Sequence, residues 1–280
     1  MTRYCYLNGK IMPEDKAGVS VRDMAVLRGY GMFEFLRTYD GRLFHFEDHI
    51  GRFRNSARMM GLRVPLSDKE IKSVLERLIV RNKFKEAALR LVLSGGRTID
   101  GMRYNRLEPT FFILADEFKP LPDAFFKRGV AVVTHEYQRE MPGAKTTNYL
   151  VAAREHNNGK NKNGRALEIL YTKDGKALEC TTSNFFIYKG NTLITPEKNV
   201  LKGVTRKIAL KLARPRFKIE ERDIKTSEFK EATEAFLTAT NKEIVPIVKI
   251  DGQKISDGKV GKNTKIMIGM FKEYAKNSKF

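Results

Sequence analysis

Three stretches carry side chains that could do chemistry together. Lys145 begins Lys-Thr-Thr-Asn-Tyr-Leu, which places an amine just ahead of a helical, apolar pattern. Glu179 begins Glu-Cys-Thr-Thr-Ser-Asn-Phe-Phe, a carboxylate followed by small hydroxyl and amide side chains and then apolar residues. Leu201-Lys202-Gly203-Val204-Thr205-Arg206 reads as a turn that enters an amphipathic helix. A lysine entering an apolar region has its charged form disfavoured, and a neutral amine can form an imine with a carbonyl. Free N–H groups and the dipole at a helix N-terminus attract phosphate. A carboxylate held elsewhere can keep a ring nitrogen protonated, so that the ring accepts electrons. Taken singly, Lys145 reads as an ordinary surface lysine, Glu179 as an exposed strand end and the turn as an ordinary helix start.

Other stretches must position these groups. Tyr4 to Met12 reads as a hairpin turning at Asn8-Gly9, and Arg22 to Gly31 as irregular. Phe33 to Tyr39 is strand-like, and Arg42 to Phe46 returns after Asp40-Gly41. From His45 to Met60, Ile50, Phe53, Ala57 and Met60 share a helical face, and this helix carries Arg52, which can pair a phosphate. Ser67-Asp68-Lys69-Glu70 is a capping box that opens a second helix. Strands are expected at 87–93 and 110–114, around the loop 94–109. Lys119-Pro120-Leu121-Pro122 reads as a linker. Beyond it the pattern gives a strand at 130–134, a helix at 148–157, and hairpins turning at Asp174-Gly175 and Gly190-Asn191. A helix follows at 204–212, then strands at 234–239 and 244–250 and a last helix at 262–276. Thr238-Ala239-Thr240, at a strand end, offers further N–H and hydroxyl donors. Hairpins dominate, which predicts an α+β fold in two domains. The boundaries are 1–118 for a small N-terminal domain, 119–129 for a linker, and 130–280 for a larger domain carrying the lysine.

Composition bounds the class. The chain has 280 residues, 41% hydrophobic and 31% charged, which suits a globular protein with a sizeable core. It has no apolar run long enough for a membrane helix, its N-terminus lacks a signal-peptide core, and Cys5 and Cys180 stand in unrelated contexts. The cytoplasm is the expected compartment. The net charge of +20 is spread along the chain. Its densest clusters, Lys160 to Arg165 and Lys259 to Lys265, are broken by Gly and Asn, so a solvated surface rather than nucleic-acid binding is expected. No metal site is expected.

The amine, carboxylate and phosphate turn together are what pyridoxal 5'-phosphate requires. The motifs go further. They are Arg28-Gly29-Tyr30-Gly31-Met32-Phe33-Glu34, then His49-x-x-Arg52, then Arg139-x-x-Pro142-x-x-Lys145-x-x-Asn148-Tyr149. After these come Glu179-x-Thr181-x-Ser183-Asn184-x-Phe186, Thr195-Pro196, Leu201-x-Gly203-Val204-Thr205-Arg206, and Phe236-x-Thr238-x-Thr240-x-x-Glu243-Ile244-x-Pro246. In this order the chain resembles the class IV aminotransferases, the fold type IV pyridoxal phosphate enzymes, nearly end to end. The resemblance implies that Lys145 is the Schiff-base lysine and proton shuttle. It implies that Glu179 holds the pyridine nitrogen and that Arg52, Gly203, Val204, Thr205, Ala239 and Thr240 cradle the cofactor, chiefly its phosphate. It also implies a homodimer with shared active sites, acting on amino acids and 2-oxo acids.

Substrate residues follow less directly. Some D-amino-acid transaminases trap the substrate carboxylate with an Arg-x-His pair. Ser94-Gly95-Gly96-Arg97-Thr98-Ile99-Asp100-Gly101 stands there instead. The chain looks most like a D-amino-acid transaminase without that trap, moving an amino group from D-alanine or D-glutamate to 2-oxoglutarate or pyruvate by a ping-pong route. Arg28 is the leading carboxylate partner, Arg97 and Arg103 are second choices, and Thr182 and Asn241 are further substrate candidates. A branched-chain L-amino-acid transaminase, an aminodeoxychorismate lyase and a basic non-enzymatic binding protein remain as alternatives.

Overall fold

The computed structural model describes residues 2–157 and 165–277; the basic cluster at 160–165 lies, except for Arg165, outside the described residues. The chain packs as two compact units. Of the described residues, the first unit holds those up to Lys119 together with Ala144–Asn148, and the second holds Pro120–Gly143 and those from Tyr149 to Asn277.

In the first unit the elements are β1 (Tyr4–Leu7), β2 (Lys10–Pro13), α1 (Met24–Arg28), β3 (Gly31–Tyr39), β4 (Arg42–Leu43), α2 (Phe46–Met59), α3 (Asp68–Asn82), β5 (Ala87–Ser94) and β6 (Thr110–Glu117). The strands form one sheet in the order β2-β1-β6-β5-β3-β4. Asn8 and Gly9 both have positive φ, at 43° and 95°, as the tight turn between β1 and β2 demands. Helix α2 buries Ile50, Phe53 and Ala57, and α3 buries Ile71, Val74, Leu75 and Leu78. Ser67 caps α3 in a full capping box with Glu70, as the spacing predicts. Two local expectations change. Residues 24–28 are helical rather than irregular, because Asp23 accepts from the Ala25 N–H and Gly29 ends the turn in the left-handed region. The return strand after Asp40-Gly41 is only two residues long, and α2 starts at Phe46.

The second unit contains α4 (Asp123–Arg128), β7 (Val130–Glu136), α5 (Leu150–Asn157), β8 (Glu168–Lys173), β9 (Lys176–Cys180), β10 (Asn184–Lys189), β11 (Thr192–Thr195) and α6 (Val204–Ala213). It continues with β12 (Lys218–Glu221), β13 (Ile224–Lys225), β14 (Glu234–Ala239), β15 (Glu243–Ile250), β16 (Gln253–Lys254) and α7 (Lys262–Asn277). Following the pairings from β10 through β14, β15, β7, β8 and β9 leads back to β10, so these strands close into a barrel. Val132, Leu170, Phe185, Ile187, Leu237, Val245 and Ile247 fill its core. Hairpin reasoning does not find this closure, because β7 runs parallel to both β8 and β15 and reaches them by long connections. Helices α6 and α7 pack on β14, and α4 and α7 on β15.

Candidate active site

In the first unit, Lys145 runs beside the start of β3. The Phe33 N–H donates to the Lys145 carbonyl at 2.9 Å, and the Thr147 N–H donates to the Gly31 carbonyl at 2.9 Å. The Lys145 N–H donates to Ser56 Oγ at 3.1 Å, and Lys145 Nζ lies 4.4 Å from the centre of the Phe33 ring. The main chain around Lys145 is thus fixed by bonds that do not use its side chain. Ser56 sits one helical turn after Arg52 on α2, which brings Lys145 and Arg52 to one end of β3.

Arg52 itself is anchored by Glu34, a residue the motif contained but sequence reasoning gave no role. Arg52 Nε donates to Glu34 Oε2 at 2.9 Å and Arg52 Nη2 donates to Glu34 Oε1 at 2.6 Å. His49 Nδ1 lies 3.0 Å from Glu34 Oε1. Burial raises the Glu34 pKa, yet the charges and hydrogen bonds of Arg52 and His49 outweigh it and hold the carboxyl well below its usual range. Burial pushes the His49 pKa down, more than Glu34 lifts it, so the ring is neutral at pH 7. Its Nδ1–H then faces Glu34, and the buried Nε2 has no hydrogen-bond partner among the described residues.

In the second unit, Glu179 ends β9 and pairs with Asn184 where β9 meets β10, and Asn184 pairs in turn with Thr238 on β14. The Glu179 carboxylate is buried rather than at an exposed strand end. Arg139 Nε donates to Glu179 Oε1 at 2.9 Å, Arg139 Nη2 reaches the same oxygen, and the Leu201 N–H donates to Oε2 at 3.0 Å. Asn184 Nδ2 donates to the Leu201 carbonyl at 2.7 Å. Leu201 to Thr205 are thereby drawn to the end of the barrel that carries Glu179. Gly203 caps α6 with no side-chain acceptor, and a Cβ there would stand 2.2 Å from Asn184 Oδ1. Only glycine fits, so the N–H groups opening α6 stay open to a ligand.

The third group in this unit was not read from the sequence. Glu168 on β8 is buried and accepts from Thr181 Oγ1 at 2.7 Å, the Thr182 N–H at 2.8 Å, Thr182 Oγ1 at 2.6 Å and Ser183 Oγ at 2.5 Å. Lys242 Nζ lies 2.9 Å from Glu168 Oε1 and donates to Thr182 Oγ1 at 2.7 Å. Asn241 Oδ1 is 3.5 Å from the same ammonium. Burial alone raises the Glu168 pKa, but Lys242, Ser183 and Thr182 bring it down to about 2. Thr182 and Asn241, both expected near substrate, thus meet at Lys242. The signal for Glu168 was a charge inside an apolar strand run, Ala166-Leu167-Glu168-Ile169-Leu170.

Arg28, Arg97 and Arg103 lie on exposed segments of the first unit. Arg28 Nη1 donates to its neighbour's carbonyl, Leu27 O, at 2.8 Å, and its Nε approaches Met102 Sδ at 3.3 Å. Arg103 pairs with Asp100 within its own loop. Arg97 bridges to Asp23 through main-chain pairing.

The family model for class IV amino-transferases matches residues 31–250. The chain belongs to the class IV aminotransferases. A Methanocaldococcus jannaschii protein, provisionally named a branched-chain-amino-acid aminotransferase, is 33% identical over 96% of this chain and 95% of its own. A D-alanine aminotransferase of Bacillus licheniformis is 29% identical, with 92% of each chain covered. The chain spans about half the length of two similar Arabidopsis thaliana proteins, named branched-chain-amino-acid aminotransferase-like, at 51% and 50% of their length. A crystal structure of the branched-chain aminotransferase from Thermoproteus uzoniensis with norvaline shares the fold, with a TM-score of 0.88 over 99% of this chain and 97% of that one at 25% identity. The fold is fold type IV, the two-domain α+β class expected from the sequence.

Class IV aminotransferases depend on pyridoxal 5'-phosphate. The residues here suit that group. A buried, anchored carboxylate answers a pyridinium nitrogen, and a glycine-capped helix start answers a phosphate. Thr238 Oγ1, buried beside Asn184 on the neighbouring strand, has no hydrogen-bond partner among the described residues. Among those residues no helix is long and apolar enough to cross a membrane.

Proposed function

We propose that this aminotransferase moves an amino group between a small or acidic D-amino acid, such as D-alanine or D-glutamate, and 2-oxoglutarate or pyruvate. The observation that supports a small or polar substrate is the polar cluster just past Glu179. There Thr181, Thr182, Ser183, Glu168 and Lys242 form one hydrogen-bonded group. A branched apolar side chain gains little burial energy beside such a group. The D hand rests on the likeness of Arg28-Gly29-Tyr30-Gly31 and Ser94-Gly95-Gly96 to D-amino-acid transaminases, and on the Bacillus licheniformis relative.

Pyridoxal phosphate, when bound, supplies an electron sink for charge that develops at the substrate Cα. Lys145 Nζ takes the proton from Cα and returns it, and its fixed main chain keeps that amine in one place. Glu179, anchored by Arg139 and the Leu201 N–H, would hold the pyridine nitrogen. Arg52, Gly203, Val204, Thr205, Ala239 and Thr240 would hold the cofactor, chiefly its phosphate. Arg52 is kept in one rotamer by Glu34.

We also propose a homodimer in the cytoplasm. The first unit exposes Val21, Val26, Leu27, Ile99, Met102 and Leu107 on two segments linked by the Asp23–Arg97 bridge and the Arg28–Met102 contact. Exposed apolar side chains gathered in this way mark an interface. The two buried cysteines are unpaired, as in a reducing compartment.

A second reading, a branched-chain L-amino-acid transaminase, is favoured by the Methanocaldococcus jannaschii relative. A panel of D- and L-amino acids with 2-oxoglutarate tests both. Turnover of D-alanine and D-glutamate supports the first reading, and turnover confined to L-leucine and L-valine replaces it with the second.

A further inference from the structure

We infer that Lys242 is the cation that receives the α-carboxylate of the substrate, with Glu168 and Thr182 as its cradle. This inference rests on the transaminase reading above. A carboxylate leaving water needs a cationic partner, or its desolvation is not offset. Arg28 and Arg103 are exposed and engaged locally, and Arg97 is exposed and held through its main chain. Lys242 differs in its burial. Its side chain is only 11% exposed, on the turn that follows Thr240, and it touches Thr182, three residues past Glu179.

The hydrogen bonds show why this ammonium can be shared with a ligand. Glu168 Oε1 takes three donors, from Thr182 Oγ1, Ser183 Oγ and Lys242 Nζ. A carboxylate oxygen has two lone-pair sites, so one donor is surplus. If Lys242 turned away, Glu168 would keep four hydrogen bonds, from Thr181, Thr182 twice and Ser183. The lysine has three rotatable protons. Two face Glu168 and Thr182, and the third reaches Asn241 Oδ1 only at 3.5 Å, a contact an anionic oxygen outcompetes. Glu168 therefore holds the stem's end in place without consuming the whole charge, and its own charge is enclosed by hydroxyls rather than presented to an incoming anion.

The test uses the holoenzyme and propionate, which is alanine without its amino group and has no chiral centre. Its Kd is measured by calorimetry, beside KM for D- and L-alanine and the cofactor's visible absorbance. Lys242→Met should weaken propionate binding by about tenfold or more, with the absorbance unchanged. Lys242→Arg should restore binding to within about threefold of wild type. Lys242→Met leaves Glu168 without its cation, so the double variant Lys242→Met/Glu168→Gln is measured as well, and the same loss is expected. Propionate binding within about twofold of wild type in both neutral variants would overturn the assignment. A loss confined to Arg28→Ala would also overturn it and give the role to Arg28. Because propionate has no hand, this result is independent of whether the enzyme prefers D- or L-amino acids, which the substrate panel decides separately.

Discussion

Glu179 and Asn184 pair at the point where β9 meets β10 and the barrel of the second unit closes. The same two side chains hold the approach to α6 from both sides, Glu179 through the Leu201 N–H and Asn184 through the Leu201 carbonyl. The end of the barrel and the start of the helix are therefore one rigid piece, and the carboxylate cannot drift from the glycine-capped turn.

Glu179→Gln keeps the shape and can still accept from Leu201, but it no longer offers a charge to a ring nitrogen. Single-turnover rates with the preferred amino acid should fall by about a hundredfold, and the melting temperature should fall as well, because the buried Arg139 loses its carboxylate. Stopped-flow absorbance measures this. Unchanged single-turnover rates would exclude Glu179 from the chemistry.

Lys145→Ala isolates the amine in the same way. The main-chain bonds to Phe33 and Ser56 do not use its side chain, so the fold should persist. Transamination should drop by about a hundred- to ten-thousandfold, and borohydride should no longer fix the cofactor to the protein. Borohydride labelling of a different lysine in the wild type is the outcome that removes Lys145 from its role.

The candidate residues and elements that the sequence made legible are those with local signatures. Lys145, Glu179, Arg52 and the Gly203 turn stand in short motifs, and the capping box at Ser67, the hairpin at Asn8-Gly9 and the helix faces of Phe53 and Leu75 follow from spacing alone. Helix α1 was missed and its segment read as irregular, although Asp23 and Gly29 are ordinary start and stop signals. The Glu168–Lys242 pair was not. Lys242 stands in Asn-Lys-Glu, which reads as a solvated turn, and its partner lies on another strand of the barrel. The barrel's closure was hidden for the same reason, because parallel pairs such as Thr134–Leu170 join distant segments and leave no turn to read. Glu34 was visible in its motif, but only the structure connects it to Arg52.

Glu34→Ala should be among the most destabilising single changes in the first unit. It leaves Arg52, whose side chain is 12% exposed, and the buried His49 without their carboxylate. Breaking a buried pair by removing one partner costs about 3–5 kcal/mol. Urea unfolding measures it, and a loss below about 1 kcal/mol would mean that water replaces the carboxylate. The doubly neutral variant Glu34→Gln/Arg52→Met should recover part of the loss, since no charge is then stranded.

Glu168 gives a prediction whose sign depends on pH. Its carboxyl is held at about 2, below an ordinary value of 4.5, because Lys242 and the hydroxyls of Ser183 and Thr182 outweigh the cost of burial. A carboxyl whose folded pKa is depressed stabilises the native state above its unfolded pKa. That stabilisation is lost as pH falls toward the folded value. Between neutrality and about pH 5 the full contribution is present, and at this shift it is on the order of 3 kcal/mol. It should fade from about pH 4.5 down to about pH 2. Glu168→Gln lacks the titrating group but keeps an acceptor for the Thr181, Thr182 and Ser183 donors. Urea unfolding of both proteins at a series of pH values reads the difference directly. The wild type should be the more stable at pH 7, and the gap should narrow steadily as the pH falls through that window. A gap that stays constant with pH would mean that folding does not shift the Glu168 pKa, and a gap that widens as the pH falls would mean that the folded pKa is raised rather than lowered.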